Sequence, residues 1–90
     1  MEFEWDEAKS RANRRKHGLD FHDAQKVFQG LALTQEDSRQ DYGERPWITM
    51  GELEGVVVII VHVQRAGRTR IISMRKANAR ERMVYEKGLF

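Results

Sequence analysis

Ninety residues carrying 16 Lys or Arg against 14 Asp or Glu, net +2, make one domain, 1–90, with room for a modest core and a shallow site but not for a deep two-domain cleft. The absence of cysteine excludes disulfides, thiolate nucleophiles and cysteine-type zinc sites, and permits a reducing compartment. No apolar run approaches the roughly 20 residues that span a bilayer, and the acidic start MEFEWDEAK lacks the apolar centre of a signal peptide, so the expectation is a soluble cytoplasmic protein without a membrane role.

In chain order, Phe3 and Trp5 flank Glu4 in an alternating scrap that suits a short edge strand. Asp6 then offers an N-cap to the helical run EAKSRANRRKH, and Gly18 a C-cap. Trp5, Ala8 and Ala12 share one stripe of that helix, which predicts a narrow face of small residues packing closely on something flat. A second helix begins at Asp20, buries Phe21, Ala24, Val27 and Phe28, and stops at Gly30. Residues 31–34 read as a short strand, and QEDSRQDYGE as a polar loop. Pro46 forces an extended approach, so residues 47–53 form a strand near an edge, and Glu54-Gly55 turns it into the apolar central strand 56–63. QRAGR returns the chain into a strand over 69–74, and Asn78 caps a final helix that turns Ala79, Met83 and Leu89 toward the core.

The expected fold class is therefore α+β, with two N-terminal helices, an antiparallel sheet of three to four strands and a C-terminal helix. One difficulty is built into that order. Residues 56–61 are apolar on both faces, yet the helices available most naturally cover one. Either the last helix crosses to the other face or a partner chain covers it.

Charge is segregated along the chain. Residues 1–45 hold eight cations and ten acids, whereas 46–90 hold eight and four, and the stretch 62–82 sets seven cations against Glu81 alone. A basic half delivered by a rigid strand suits a phosphate-bearing partner. An isolated arginine is most often simply solvated, but the cluster points further. Arg65 and Arg75 are the candidates for clamping a phosphate, because forked guanidinium donors stabilise charge on phosphorus and never lose their proton. His62, the one histidine in the sheet segment, and Tyr85 in the last helix are the candidates for moving protons. Arg68, Arg70, Lys76 and Arg82 would hold the flanking backbone. His17 suits helix-terminal carbonyls and His22 the surface. Two histidines at metal-ligand spacing do not occur, so neither a metal nor another cofactor is expected.

The segments FEWDEAKSRANRRKHGLDFHDAQKVF, GERPWITMGELEGVVVIIVHVQRAG and RIISMRKANARERMVYE together resemble the BrnT-type toxins of bacterial type II toxin-antitoxin systems, over nearly the whole chain. The combination of WDEAK, KHG, the pair Gly51 and Gly55, and IISMRKANARER carries the resemblance. It implies a RelE-like fold and a small endoribonuclease that arrests growth until a BrnA-type antitoxin neutralises it, with operator DNA bound only through that antitoxin. It also favours the partner chain, over the crossing helix, as cover for the second sheet face. Since RNA brings its own 2′-hydroxyl nucleophile, cleavage would need alignment, proton transfer and positive charge, and would leave a 2′,3′-cyclic phosphate. The rival readings are a non-catalytic basic nucleic-acid-binding module and a toxin with another target, such as gyrase.

Overall fold

The computed structural model describes residues 1–37 and 45–88. The elements run β1 (Phe3–Glu4), α1 (Glu7–His17), a single 3-10 turn (Phe21–Asp23) continuing into α2 (Ala24–Gln29), β2 (Leu33–Glu36), β3 (Trp47–Leu53), β4 (Val56–Arg65), β5 (Arg68–Lys76) and α3 (Ala79–Lys87). The polar loop expected over 35–44 lies mostly outside the described residues, as does Leu89.

The α+β class holds, but the sheet differs from expectation. It has five strands in the order β1-β5-β4-β3-β2, and it is mixed. Strands β2 to β5 form an antiparallel meander, while two-residue β1 adds to the free edge of β5 in parallel, with Phe3 opposite Thr69 and Glu4 opposite Arg70. Both tight hairpins place two left-handed residues at their tips, Glu54-Gly55 and Ala66-Gly67, the backbone twist that matches paired strands.

Strand β4 sits centrally and buries both faces. Val58 and Ile60 join Leu19, Phe21, Ala24, Val27, Ile71 and Met74 under α1 and α2, with Phe3, Trp5 and Phe28 at the margin. Val57 and Ile59 point the other way and pack with Met50 and Ala77 against Ile48, Val84 and Tyr85. Each of these side chains contributes about 1.5–3 kcal/mol when fully buried, so neither face can be left wet without loss of the fold. The last helix therefore crosses, and α3 itself covers the second face. That corrects the expectation that a partner chain supplies the cover. The contact is made by Val84 and Tyr85 rather than by the expected residues, since Ala79 is exposed and Met83 is 54% exposed.

Helix α1 is also attached differently from the expected small apolar stripe. Its caps are as expected: Asp6 accepts from the Lys9 amide and Gly18 is left-handed at φ 72°. Ala8 and Ala12, however, face solvent, and the buried residues are Ser10 and Asn13. The Ser10 hydroxyl accepts from the Phe21 amide and donates to Asp20, each at 3.1 Å. The Asn13 side chain donates to the Leu19 carbonyl at 2.9 Å and accepts from the Met74 amide at 3.3 Å. A buried polar group is tolerated because it is bonded, so two short side chains replace an apolar seam, Ser10 fixing the helix to the 3-10 turn and Asn13 fixing it to β5. Asp20 likewise caps the 3-10 turn by accepting from the His22 amide.

Helix α2 lies close on β3 at Gly51, where an added Cβ would stand 2.6 Å from Val27 Cγ1. Gly51→Ala should cost about 1–3 kcal/mol by overpacking, read as a lower urea midpoint. Combining it with Val27→Ala should cost less than the sum of the two single changes. Strict additivity would show that the approach at Gly51 is not the constraint.

Candidate functional site

A register slip in the β4–β5 ladder decides which residues meet. Val61 stands opposite Ser73 but His62 stands opposite Ile71, leaving Ile72 as the extra residue. Such a bulge shifts the alternation of the longer strand by one. Ile71 and Met74 therefore both face the α1/α2 layer, and Arg75, opposite Ile59, is sent to the α3 face. Simple alternation from Ile71 would have placed Arg75 under α1.

On the α3 face, the Arg75 guanidinium donates through Nη1 and Nη2 to the two oxygens of Glu81, both at 2.8 Å. This pair raises the Arg75 pKa further, chiefly through the Glu81 hydrogen bonds. Glu81 also accepts from the Asn78 amide while Asn78 accepts from that of Glu81, a reciprocal cap on α3. Arg75 thus ties β5 to the first turn of the helix. At 100° per residue, Arg82 and Tyr85 lie on the same side of α3 as Glu81. Arg82 donates to the Ala77 carbonyl at 3.2 Å, and the Tyr85 phenol donates to the Leu31 carbonyl at 2.6 Å. Burial, followed by nearby Glu52, pushes the Tyr85 pKa up, so at neutral pH the phenol keeps its proton and is a donor. Arg80 is exposed beside this corner, whereas Lys76, also exposed, stands opposite Val58 and is sent to the α1/α2 face. Arg75 and Arg82 are therefore brought to the start of α3 with Glu81, which stood in the sequence only as the lone acid of a basic stretch, while the Tyr85 hydroxyl reaches to Leu31 beside β2 and Lys76 is left on the other face.

Arg65 is not brought to that corner. It stands opposite Arg68 at the far hairpin while Arg75 stands opposite Ile59, so six residues of β4 separate them, about 20 Å. A clamp of both guanidiniums on one phosphate is not formed. The reason is the ladder: Arg65 begins the turn into β5 and Arg75 ends β5, so the full strand intervenes. Arg68 and Arg70 are also engaged, Arg68 with Glu2 at 3.2 Å and Arg70 with Glu4 at 2.9 Å. β1 and the residue before it supply these acids through the parallel pairing with β5, which the distance of β1 in sequence concealed.

His62 lies on the opposite face of the sheet from Arg75. It is 5% exposed, packs edge-on to Phe28 with ring centroids 5.1 Å apart, and bonds through Nε2 to the Thr49 hydroxyl at 2.7 Å. Thr49 in turn bonds Thr34 at 2.8 Å. His62 Nδ1 is buried without a partner among the described residues. Together with Phe28, Thr34, Trp47 and Gln64 it lines a cavity of about 310 Å³ near the Ala66-Gly67 hairpin. Burial pushes its pKa down to about 4, so at neutral pH it is uncharged. The sheet separates it from the arginine corner, and the two do not form one catalytic constellation. Among the described residues, no group of three or more His, Asp or Glu side chains is placed to hold a metal ion.

Residues 5–81 match the family model described as the ribonuclease toxin BrnT of type II toxin-antitoxin systems. A search of curated proteins finds no match.

The His62 shift has a measurable consequence. Its pKa falls from an ordinary 6.5 in the unfolded chain to about 4 in the fold. Between those values the unfolded state takes up the proton first, so the contribution is complete above pH 6.5 and is lost as pH falls toward 4, about 3 kcal/mol in all. Asp20, held near 2 mainly by the His22 amide, loses its contribution below 3.8, outside that window. His22, raised by its bond to Asp20, works in the opposite direction, contributing as pH falls. Urea stability of wild type minus that of His62→Gln should therefore shrink from pH 7.5 to pH 4.5. A difference that is flat with pH would show that His62 does not resist protonation.

Proposed function

The chain belongs to the BrnT family of ribonuclease toxins of type II toxin-antitoxin systems, and from that premise we propose that it is a metal-independent endoribonuclease whose reacting phosphate sits at the β5–α3 corner. The observation that carries the reading is Arg82 beside the Arg75–Glu81 brace at the start of α3, with Tyr85 one turn farther along the same helix. Guanidinium and ammonium groups supply charge stabilisation without proton exchange, which is what a phosphate gaining negative charge requires. Arg82 holds the scissile phosphate, Arg75 keeps α3 in place through Glu81, and Tyr85, still protonated, turns from the Leu31 carbonyl to donate to the departing 5′-oxygen. The 2′-hydroxyl of the RNA attacks phosphorus, its proton passing to solvent, and the P–O5′ bond breaks, leaving a 2′,3′-cyclic phosphate and a 5′-hydroxyl. Arg65, about 20 Å along the same face, contacts phosphates farther along the strand, with Arg68 and Arg70 beside it where their acidic partners can be displaced.

His62 stays outside this chemistry. A buried imidazole with its pKa near 4 is a poor base near neutrality, and it belongs to the other face of the sheet.

We read the architecture as RelE-like, with helices and sheet serving to carry α3 and its cations. The toxin partner is an antitoxin of BrnA type, through which operator DNA is bound, and the site of action is the cytoplasm. No described helix is long and apolar enough to cross a membrane. The reading of the chain as a non-catalytic basic module explains the arginines equally well but leaves the family's ribonuclease activity without a site.

Cleavage of a single-stranded RNA in excess EDTA tests the proposal. Wild type should cut and leave cyclic phosphate ends, Tyr85→Phe should be slower by about 10²-fold or more, and Arg82→Ala by at least ~10-fold. Arg75→Ala should lose activity together with α3 stability. Full activity in EDTA from a folded protein carrying both Tyr85→Phe and Arg82→Ala would remove the corner from the reaction, and activity only with added metal would remove the mechanism.

A further inference from the structure

A second positive surface lies outside the basic stretch that the sequence advertises. Arg68 and Arg70 are paired with Glu2 and Glu4, and Arg75 with Glu81. On the outer face of α1, by contrast, Arg11, Arg14, Arg15 and Lys16 are all exposed, and among the described residues no carboxylate pairs with any of them. Lys9 extends the same surface toward the N-terminus. The buried edge of the helix, Ser10 and Asn13, faces β5 and the 3-10 turn, so these cations fan across the remaining arc. Exposed Ala8 and Ala12 lie within that arc, leaving the backbone low and open to a close approach.

The helix dipole accounts for part of this arrangement, because cations in the last turn, Arg14, Arg15 and Lys16, are favourable there. It does not account for Arg11 in mid-helix or Lys9 in the first turn. Arg11 and Arg15 stand at i, i+4, where like charges repel. A stability argument would place an acid at one of these positions. The one acid of the helix, exposed Glu7 in its first turn, is engaged by Trp5 and His22, so the rest of this rigid surface is positive, interrupted by small residues and complementary to closely spaced phosphates.

We propose that the outer face of α1 is a second nucleic-acid surface, which docks the phosphate backbone of double-helical RNA. The inference rests on the ribonuclease reading for its choice of RNA, and it goes beyond it, because α1 lies on the face of the sheet opposite α3. A strand seated at the β5–α3 corner does not reach α1 directly. The two surfaces instead engage different parts of one folded RNA: α1 grips a duplex region, and an adjacent single-stranded segment passes to the other face. Contacts to backbone alone carry no sequence information, so α1 sets where on a structured RNA the toxin resides and not which bond it cuts.

The test uses the full chain and a quadruple variant, Arg11→Ala with Arg14→Ala, Arg15→Ala and Lys16→Ala. Alanine preserves helix propensity, so the fold should be retained. A second variant with lysine in place of the three arginines keeps the charge. Binding is measured against a blunt mixed-sequence RNA duplex as a function of salt, with a DNA duplex of the same sequence, anionic phospholipid vesicles and the antitoxin as parallel arms. Cleavage of a short unstructured RNA is measured separately. The alanine variant should bind the RNA duplex at least ~10-fold more weakly, with a log–log salt slope lower by about 3 to 4. The lysine variant should restore most of the loss, and cleavage of the unstructured RNA should stay at the wild-type rate. Unchanged RNA-duplex binding in the alanine variant overturns the proposal, including when binding to DNA, vesicles or antitoxin is what falls. Loss of short-RNA cleavage in the folded alanine variant would also overturn it, by making α1 part of the corner's own machinery. Duplex binding does not depend on catalysis, so a wild type that cuts no RNA would defeat the ribonuclease mechanism while leaving this measurement intact.

Discussion

The molecule is organised by a central strand that is apolar on both faces. Val58 and Ile60 on one side of β4, and Val57 and Ile59 on the other, are each at most 7% exposed. Their burial requires a layer on each face, and ninety residues provide them only if the chain splits its helices. Helices α1 and α2 take one face and α3 the other. Everything chemical follows from that division: the buried histidine and its cavity lie with the first layer, the arginine and tyrosine corner with the second, and the sheet keeps them apart.

Within the second layer, α3 is short and has no fully buried residue. It is held by Val84 and Tyr85 against the sheet, by the Arg75–Glu81 ion pair and by the Tyr85–Leu31 hydrogen bond. The same side chains that seat the helix are those gathered at the candidate phosphate site, so position and chemistry are coupled there. Around the rest of the sheet, Glu2 and Glu4 offset the arginines that follow the Ala66-Gly67 hairpin. The electrostatic character of the surface is thus set by which cations find partners and not by the local density of Arg in the sequence.

Much of the fold was legible from local rules. The boundaries of α1, its Asp6 and Gly18 caps, the span of β3, the Glu54-Gly55 turn and the Asn78 cap all follow from short-range chemistry acting within a few residues, and the structure has them. What local rules could not supply was long-range. The parallel pairing of β1 with β5 joins residues more than sixty positions apart. The extra residue Ile72 reverses the alternation of β5 and carries Arg75 to the α3 face. The polar attachment of α1 through Ser10 and Asn13 has no periodic signature, because a bonded serine or asparagine reads as surface until its partners are known. Of the site, the nearness of Arg75 and Arg82 was visible because α3 follows β5 directly, whereas the turning of Lys76 to the other face was not. The separation of Arg65 and His62 from it was not, since spacing along a strand is apparent only once the register is fixed.

The central claim is that RNA is engaged at the α3 face and not at the cavity beside His62. The most direct measurement is the pattern of backbone amide NMR shifts on adding a 2′-O-methyl RNA strand, which binds but cannot react. The account predicts perturbations along Lys76 to Tyr85 with His62, Trp47 and Phe28 unmoved; changes confined to those three, with α3 silent, would contradict it.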